Sequence, residues 1–202
     1  LRLILGDQLS PDMSSLRDAD RDADLILIAE VMEEATYVRH HKKKIAFLFA
    51  AMRKFAASLR DDGWNVRYAE LDDTNNAGSI VGELLRRAEE TGADEVVATE
   101  PGEWRLIDKL KHAPLTVRIL PDDRFLCSHE RFERWTKGRK SLRMEYFYRE
   151  MRKKTGLLMT KDDKPAGGEW NCDKENRKPA DNDLFLPDRK RFEPDEITKE
   201  VL

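Results

Sequence analysis

Residues 24–30, Asp24-Leu25-Ile26-Leu27-Ile28-Ala29-Glu30, decide the fold. Five consecutive apolar residues, bounded by a carboxylate on each side, suit a strand buried on both faces, as in a parallel sheet. Upstream, Leu1–Leu5 is a second apolar run. It ends at Gly6-Asp7 and reads as a buried strand followed by a turn. Downstream, His40–Asp62 changes period. Ile45, Leu48, Phe49, Met52, Phe55, Ala56 and Leu59 recur every three or four positions and form one helical stripe, closed by Gly63. The alternation then repeats. Asn65–Glu70, Glu95–Thr99 and Leu115–Leu120 read as strands, and Ser79–Thr91 and Trp104–His112 as helices between them. Strands joined by helical crossovers pair in parallel with right-handed connections. The expectation is an α/β fold: a doubly wound, Rossmann-like five-stranded parallel sheet with helices on both faces, over residues 1–123.

Residues 124–202 have a different character and read as a helical and extended connector. Ser128–Thr136 and Leu142–Lys154 have helical spacing and carry Phe132, Trp135, Tyr146, Phe147 and Tyr148. From Gly156 onward the chain is polar, with Pro165, Pro179, Pro187 and Pro194 marking an extended path. Residues 194–202 look like the opening turns of a helix, so the chain is expected to continue past residue 202. Trp170, inside Gly167-Gly168-Glu169-Trp170-Asn171, must pack on something, either this chain or a further domain.

Composition narrows the function classes. Of 202 residues, 40% are hydrophobic and 38% charged, and no apolar run is long enough to span a membrane. The first residues lack the apolar core and cleavage site of a signal peptide, so a cytoplasmic location is the default. Two cysteines, Cys127 and Cys172, exclude a disulfide framework and a self-contained cysteine-ligated zinc or iron–sulfur centre. The net charge of −3 conceals an uneven distribution. Residues 1–123 hold 17 Lys/Arg against 24 Asp/Glu, whereas residues 124–155 hold 11 against 4. Such a basic island is either a solvated face or a surface for nucleic acid or another acidic partner.

Generic motifs supply no chemistry. No Gly-x-Gly-x-x-Gly follows the first strand, and there is neither a phosphate-binding Walker sequence nor a Gly-x-Ser-x-Gly elbow. His40-His41 is a poor metal pair, because adjacent helical side chains point about 100° apart. Lys42-Lys43-Lys44 reads as a solvated helix face. What remains is topological. In doubly wound sheets, ligands bind beyond the carboxyl ends of the strands. Here those ends are Gly6-Asp7-Gln8, Val31–Thr36, Leu71-Asp72, Glu100-Pro101-Gly102 and Pro121-Asp122, a rim rich in acceptors.

Several stretches taken together carry a family resemblance. They are Leu3-Ile4-Leu5-Gly6-Asp7-Gln8-Leu9-Ser10, residues 35–45 (Ala-Thr-Tyr-Val-Arg-His-His-Lys-Lys-Lys-Ile), Thr99-Glu100-Pro101-Gly102-Glu103-Trp104-Arg105, Arg124-Phe125-Leu126-Cys127-Ser128, residues 138–149 and Gly168-Glu169-Trp170-Asn171. The chain resembles the bacterial iron–sulfur photolyases and cryptochromes, the deoxyribodipyrimidine photolyase-related proteins that include prokaryotic (6-4) photolyases. The resemblance implies an N-terminal antenna domain, then a connector, then a helical domain holding FAD and a 4Fe–4S cluster and binding damaged DNA. It places this chain in the antenna domain (1–123) and connector (124–202). The complete protein would then be a light-driven DNA-repair lyase or a photoreceptor, and this stretch alone would not be catalytic.

The resemblance also implies an antenna chromophore, 6,7-dimethyl-8-ribityllumazine. Its flat ring needs apolar walls, and its polar edge and ribityl hydroxyls need partners, since buried polar groups left unpaired are costly. By position the candidate binding residues are Gly6, Asp7 and Gln8 after the first strand and Val31, Glu34 and Tyr37 after the second. Ile45 and Leu48 on the following helix would form a wall. Each polar candidate has a competing structural role: helix capping for Asp7, an ion pair with Lys42–Lys44 for Glu34, and packing for Tyr37. The helix Ser141–Lys154 is expected to leave Tyr146, Phe147 or Tyr148 exposed, or covered in a dimer, where the helical domain would dock. Two other readings stand beside the antenna: a Rossmann-like nucleotide-binding enzyme domain, and a DNA- or partner-binding module built on the basic island. A yellow, fluorescent protein favours the first, nucleotide turnover the second, and salt-sensitive DNA binding the third.

Overall fold

Alternate side chains of the apolar runs fall on opposite faces of one sheet. In the computed structural model, which describes residues 1–177 and 188–202, Leu3, Leu5, Leu25, Leu27 and Ala29 enter one buried cluster, whereas Ile4, Ile26 and Ile28 enter another. The runs are therefore continuous in sequence because both faces are covered.

The strands are β1 (Arg2–Leu3), β2 (Ile26–Ala29), β3 (Val66–Ala69), β4 (Val96–Thr99) and β5 (Val117–Leu120). They pair in the order β3-β2-β1-β4-β5, all in parallel. The Rossmann-like α/β architecture expected from the sequence is what forms. β1 is shorter than the apolar run that contains it, although Ile4 still donates to the Leu27 carbonyl at 3.0 Å. The strand order reverses between β1 and β4, which opens a crevice at their carboxyl ends.

The helices of this region are α1 (Ser14–Arg17), α2 (Met32–Thr36), α3 (Lys42–Asp61), α4 (Ile80–Thr91) and α5 (Trp104–Lys111). Leu16 of α1 and Met52, Ala56 and Leu59 of α3 cover the Ile4–Ile26–Ile28 face. Ile80 and Leu84 of α4 and Leu106 and Leu110 of α5 cover the other. The ends of α3 and α4 follow local chemistry. His41 caps α3 by accepting from the Lys43 amide at 3.1 Å, and Ser79 caps α4 by accepting from Gly82. After these helices the chain turns at Gly63 (φ +85°) and Gly92 (φ +68°), where a side chain would be strained. The helices α1 and α2 are too short to show a period, and nothing in the sequence singles them out.

The described residues divide into two compact units, 1–124 with 193–202, and 125–192. In the first unit, the terminal helix α8 (Glu196–Val201) packs on α3, and Lys54 meets Asp195 at 2.5 Å. The second unit is built on α6 (His129–Thr136) and α7 (Met144–Thr155). Phe132, Trp135 and Phe147 pack as an aromatic cluster with ring centroids 4.9–5.8 Å apart. Trp170 packs on α7 in the same unit, within about 5.5 Å of the cations of Arg149, Arg152 and Lys153. Trp170 thus has packing partners within this chain. Tyr146 and Tyr148 are 52% and 41% exposed, whereas Phe147 is partly covered. Pro179 and Pro187, two of the prolines behind the connector reading, lie outside the described residues.

Candidate functional site

A cavity of about 300 Å³ opens at the carboxyl ends of β1 and β2. That lies at the lower edge of small-molecule sites, at about 300–1,000 Å³. Gly6 and Asp7 enter it from the turn after β1, Val31 from the end of β2, Glu34 from α2, Tyr37 from the turn after α2, and Ile45 and Leu48 from α3. Seven of the eight residues nominated from the sequence thus share one cavity. Gln8 does not line it. Gln8 is fully buried, with its amide nitrogen donating to the carbonyls of Thr99 and Glu100 and its amide oxygen accepting from the Leu5 amide. It ties the β1 turn to the end of β4 and so shapes the crevice from behind.

The walls are mostly apolar. Leu5, Phe49, Met52, Ile80 and Leu106 complete what Ile45, Leu48 and Val31 begin. Two glycines keep the space open. A methyl at Gly6 would stand 3.0 Å from the Met52 sulfur, and one at Gly102 would stand 3.4 Å from Asp7 Oδ2. The Asp7 side chain caps no helix; the charged group beside it is Arg124, which donates to the Asp7 carbonyl at 2.8 Å.

The polar side of the cavity is organised by a residue that sequence reasoning missed. Arg105, at the start of α5, donates to both oxygens of Glu34 at 2.7 and 2.6 Å and to Glu103 Oε2 at 2.9 Å. Its guanidinium lies 4.2 Å from the centre of the Tyr37 ring, and the Tyr37 hydroxyl donates to Glu103 Oε1 at 3.0 Å. Glu34 therefore pairs with Arg105, not with Lys42–Lys44. The sequence signals for Arg105 are its place in the first turn of the helix after β4 and its membership of the Thr99–Arg105 stretch that carries the family resemblance. His40 lies edge-on to Tyr37, with centroids 5.1 Å apart, and its Nδ1 is 3.3 Å from Lys44 Nζ; both residues line the cavity. Among the described residues, no group of three His, Cys, Asp or Glu side chains is placed to hold a metal ion.

The floor is held by a buried ion pair. Glu30, fully buried at the end of β2, accepts from Arg53 of α3 at 2.7 and 3.0 Å, from the Tyr68 hydroxyl at 2.6 Å and from the Leu71 amide at 3.0 Å. The bond to Glu30 raises the Arg53 pKa, and burial followed by the same carboxylate raises that of Tyr68. Val31 and Met52, the neighbours of this pair in sequence, both line the cavity.

Comparison with known proteins supplies the context. The family model of the deoxyribodipyrimidine photo-lyase-related protein matches residues 2–202. The chain is 53% identical over 206 aligned residues to a (6-4) photolyase of Agrobacterium fabrum, an alignment covering all of this chain and 40% of that protein. No helix among the described residues is long and apolar enough to cross a membrane.

Proposed function

This chain belongs to the deoxyribodipyrimidine photolyase-related family, and on that premise we propose that it is the antenna part of a longer light-driven flavoprotein and holds 6,7-dimethyl-8-ribityllumazine in the cavity at the carboxyl ends of β1 and β2. The observation that carries this reading is the convergence of Gly6, Asp7, Val31, Glu34, Tyr37, Ile45 and Leu48 on one cavity beside the switch point of the sheet.

The donor and acceptor set suits such a ligand. Ile45, Leu48 and Phe49 provide apolar walls for a flat ring, and Gly6 and Gly102 leave room where a methyl would approach Met52 or Asp7. Asp7 supplies carboxylate oxygens that can accept from hydroxyl or ring N–H donors, and His40 and Lys44 add nitrogen groups to the same lining. When bound, the lumazine supplies light absorption and passes its excitation to FAD. FAD, the iron–sulfur cluster, damaged DNA and the choice between repair and photoreception belong in this proposal to the rest of the protein, since the chain spans 40% of the length of the curated relative it matches.

The test is direct. A denatured extract of the purified chain, analysed by absorbance and mass, identifies any retained chromophore, and the ligand-free chain is then titrated with dimethyl-ribityllumazine by fluorescence. Saturable one-to-one binding is expected. Failure to bind, in a chain that is folded by circular dichroism, would sink the reading.

A further inference from the structure

The cavity wall formed by α2 is unlike the rest of the fold. Helices shorter than about 12 residues are marginal in isolation, and α2 has five residues, none of them buried and no side-chain N-cap. No residue from Met32 to His41 is fully buried, and Glu33, Glu34, Ala35 and His40 are half-buried. By contrast, α4 buries Ile80, Leu84 and Ala88. What ties α2 sideways is almost wholly charged and comes from α5. Lys109 meets Glu33 at 2.5 Å, Arg105 grips both oxygens of Glu34, and Glu103 accepts from Tyr37. One backbone bond is added, from the Glu33 amide to the Gly78 carbonyl at 3.0 Å.

This same segment supplies Glu34, Ala35, Tyr37 and His40 to the cavity lining. It is bounded by Val31, which is 1% exposed, and by α3. Swinging it outward would expose no fully buried side chain of its own and would return half-buried ionic groups to water, which solvates them well.

We propose that residues 32–41 are a lid over the cavity, latched by ion pairs to α5, with Arg105 as the positioning residue that sets how fast a ligand enters and leaves. Arg105 suits this role because one planar guanidinium bridges Glu34 and Glu103 while resting on Tyr37, a geometry that lysine cannot reproduce.

The ligand in this inference rests on the lumazine reading; the lid itself does not, and two measurements keep them apart. The first is amide hydrogen exchange on the ligand-free chain, with α4 as an internal reference. Raising salt from about 0.01 to about 1 M shortens the screening length from about 30 to about 3 Å. It should speed exchange of the Ala35 and Tyr37 amides, and Arg105→Met should do so by about tenfold at low salt. Amides within α4 should not respond. If α2 is unmoved by salt and substitution, or if α4 moves equally, the lid is wrong. Lys109→Gln and the salt series on the unaltered chain preserve this test should Arg105→Met fail to fold. The second measurement is the release rate of dimethyl-ribityllumazine, followed by fluorescence. It should rise about tenfold in Arg105→Met and lose most of its salt dependence. Unchanged release from a loosened α2 would overturn the gating role and leave the lumazine reading standing. An unaltered chain that binds no lumazine would overturn that reading and leave the lid to be decided by exchange.

Discussion

Two carboxylates beside the cavity carry different obligations. Glu34 has both oxygens engaged by Arg105, and the pair is about three-quarters buried on each side, with side-chain exposures of 25% and 28%. Asp7 has no such partner. At Asp7 a ligand donor meets carboxylate oxygens that no bidentate guanidinium holds, although Arg124 donates to the Asp7 carbonyl nearby, whereas at Glu34 it competes directly with Arg105. Asp7→Asn should therefore weaken lumazine binding by about tenfold and Glu34→Gln by only about two- to threefold, read as dissociation constants from fluorescence titration. Glu34→Gln should in turn cost about 1 kcal/mol of stability in a denaturant melt, because it weakens a bidentate pair. The opposite order of affinities would make Glu34 the principal acceptor. Legibility in the sequence divides along the same line. Both residues stood out by their distance from a strand end, but that distance says nothing about the partner each finds. Arg105 reaches Glu34 across 71 positions of sequence, a separation that no local pattern records.

The elements around the site are held in two contrasting ways, and the two should fail differently. The long helix α3 is fixed to the sheet by apolar packing and by the Arg53–Glu30 pair, whose carboxylate is fully buried. Removing one partner of a buried pair leaves a charge without compensation. Arg53→Met should cost about 3 kcal/mol in global stability by urea melting, even though Tyr68 and the Leu71 amide still donate to Glu30. A cost below about 1 kcal/mol would mean that the pair is dispensable. The short helix α2 depends instead on half-buried ionic contacts to Arg105 and Lys109, and the Glu103 carboxylate that holds the adjoining Tyr37 responds to acid. Burial opposes ionisation of Glu103, but hydrogen bonds from Arg105 and Tyr37 prevail and hold its carboxyl below the ordinary value of 4.5. A group whose pKa is depressed on folding contributes its stabilisation above the unfolded value and loses it as pH falls through the folded one. The Glu103 contacts to Tyr37 and Arg105 should thus be intact above pH 4.5 and loosen below it. Exchange of the α2 amides, corrected for the intrinsic pH dependence and referenced to α4, would show it. A flat profile down to the acid unfolding of the whole sheet would contradict it.

For the molecule as a whole, the described residues offer a cavity at the sheet's carboxyl edge, the one proposed for lumazine, and the matching relative is more than twice as long as this chain. The isolated chain should accordingly bind lumazine without retaining stoichiometric FAD and without repairing a damaged oligonucleotide under light. Recovery of one FAD per chain, by absorbance of a denatured extract, would show that the flavin site lies within these residues. The basic stretch 124–155 also changes meaning at this scale. Arg149, Arg152 and Lys153 face the Trp170 ring, and Arg152 is buried, donating to the Leu158 and Trp170 carbonyls. Part of the charge excess that suggested a docking surface therefore holds its own unit together.

The sheet is legible in consecutive residues. Residues 3–5, 25–29 and 96–98 are apolar without interruption because both faces of a central parallel strand are buried, and the stripe from Ile45 to Leu59 repeats with the helix because one face of α3 meets that sheet. These are local consequences of burial, so they are written in consecutive residues. The strand ends were equally legible, and with them the neighbourhood of the cavity. Tertiary structure alone decided the rest. It turned Gln8 inward to bridge two strand ends, gave Glu34 to Arg105, seated Trp170 on α7 and stabilised α2 against α5. Each of these rests on a side chain meeting a partner brought near by the fold. The polar groups concerned are satisfied wherever a matching donor or acceptor lies within about 3 Å, and the distance along the chain does not enter.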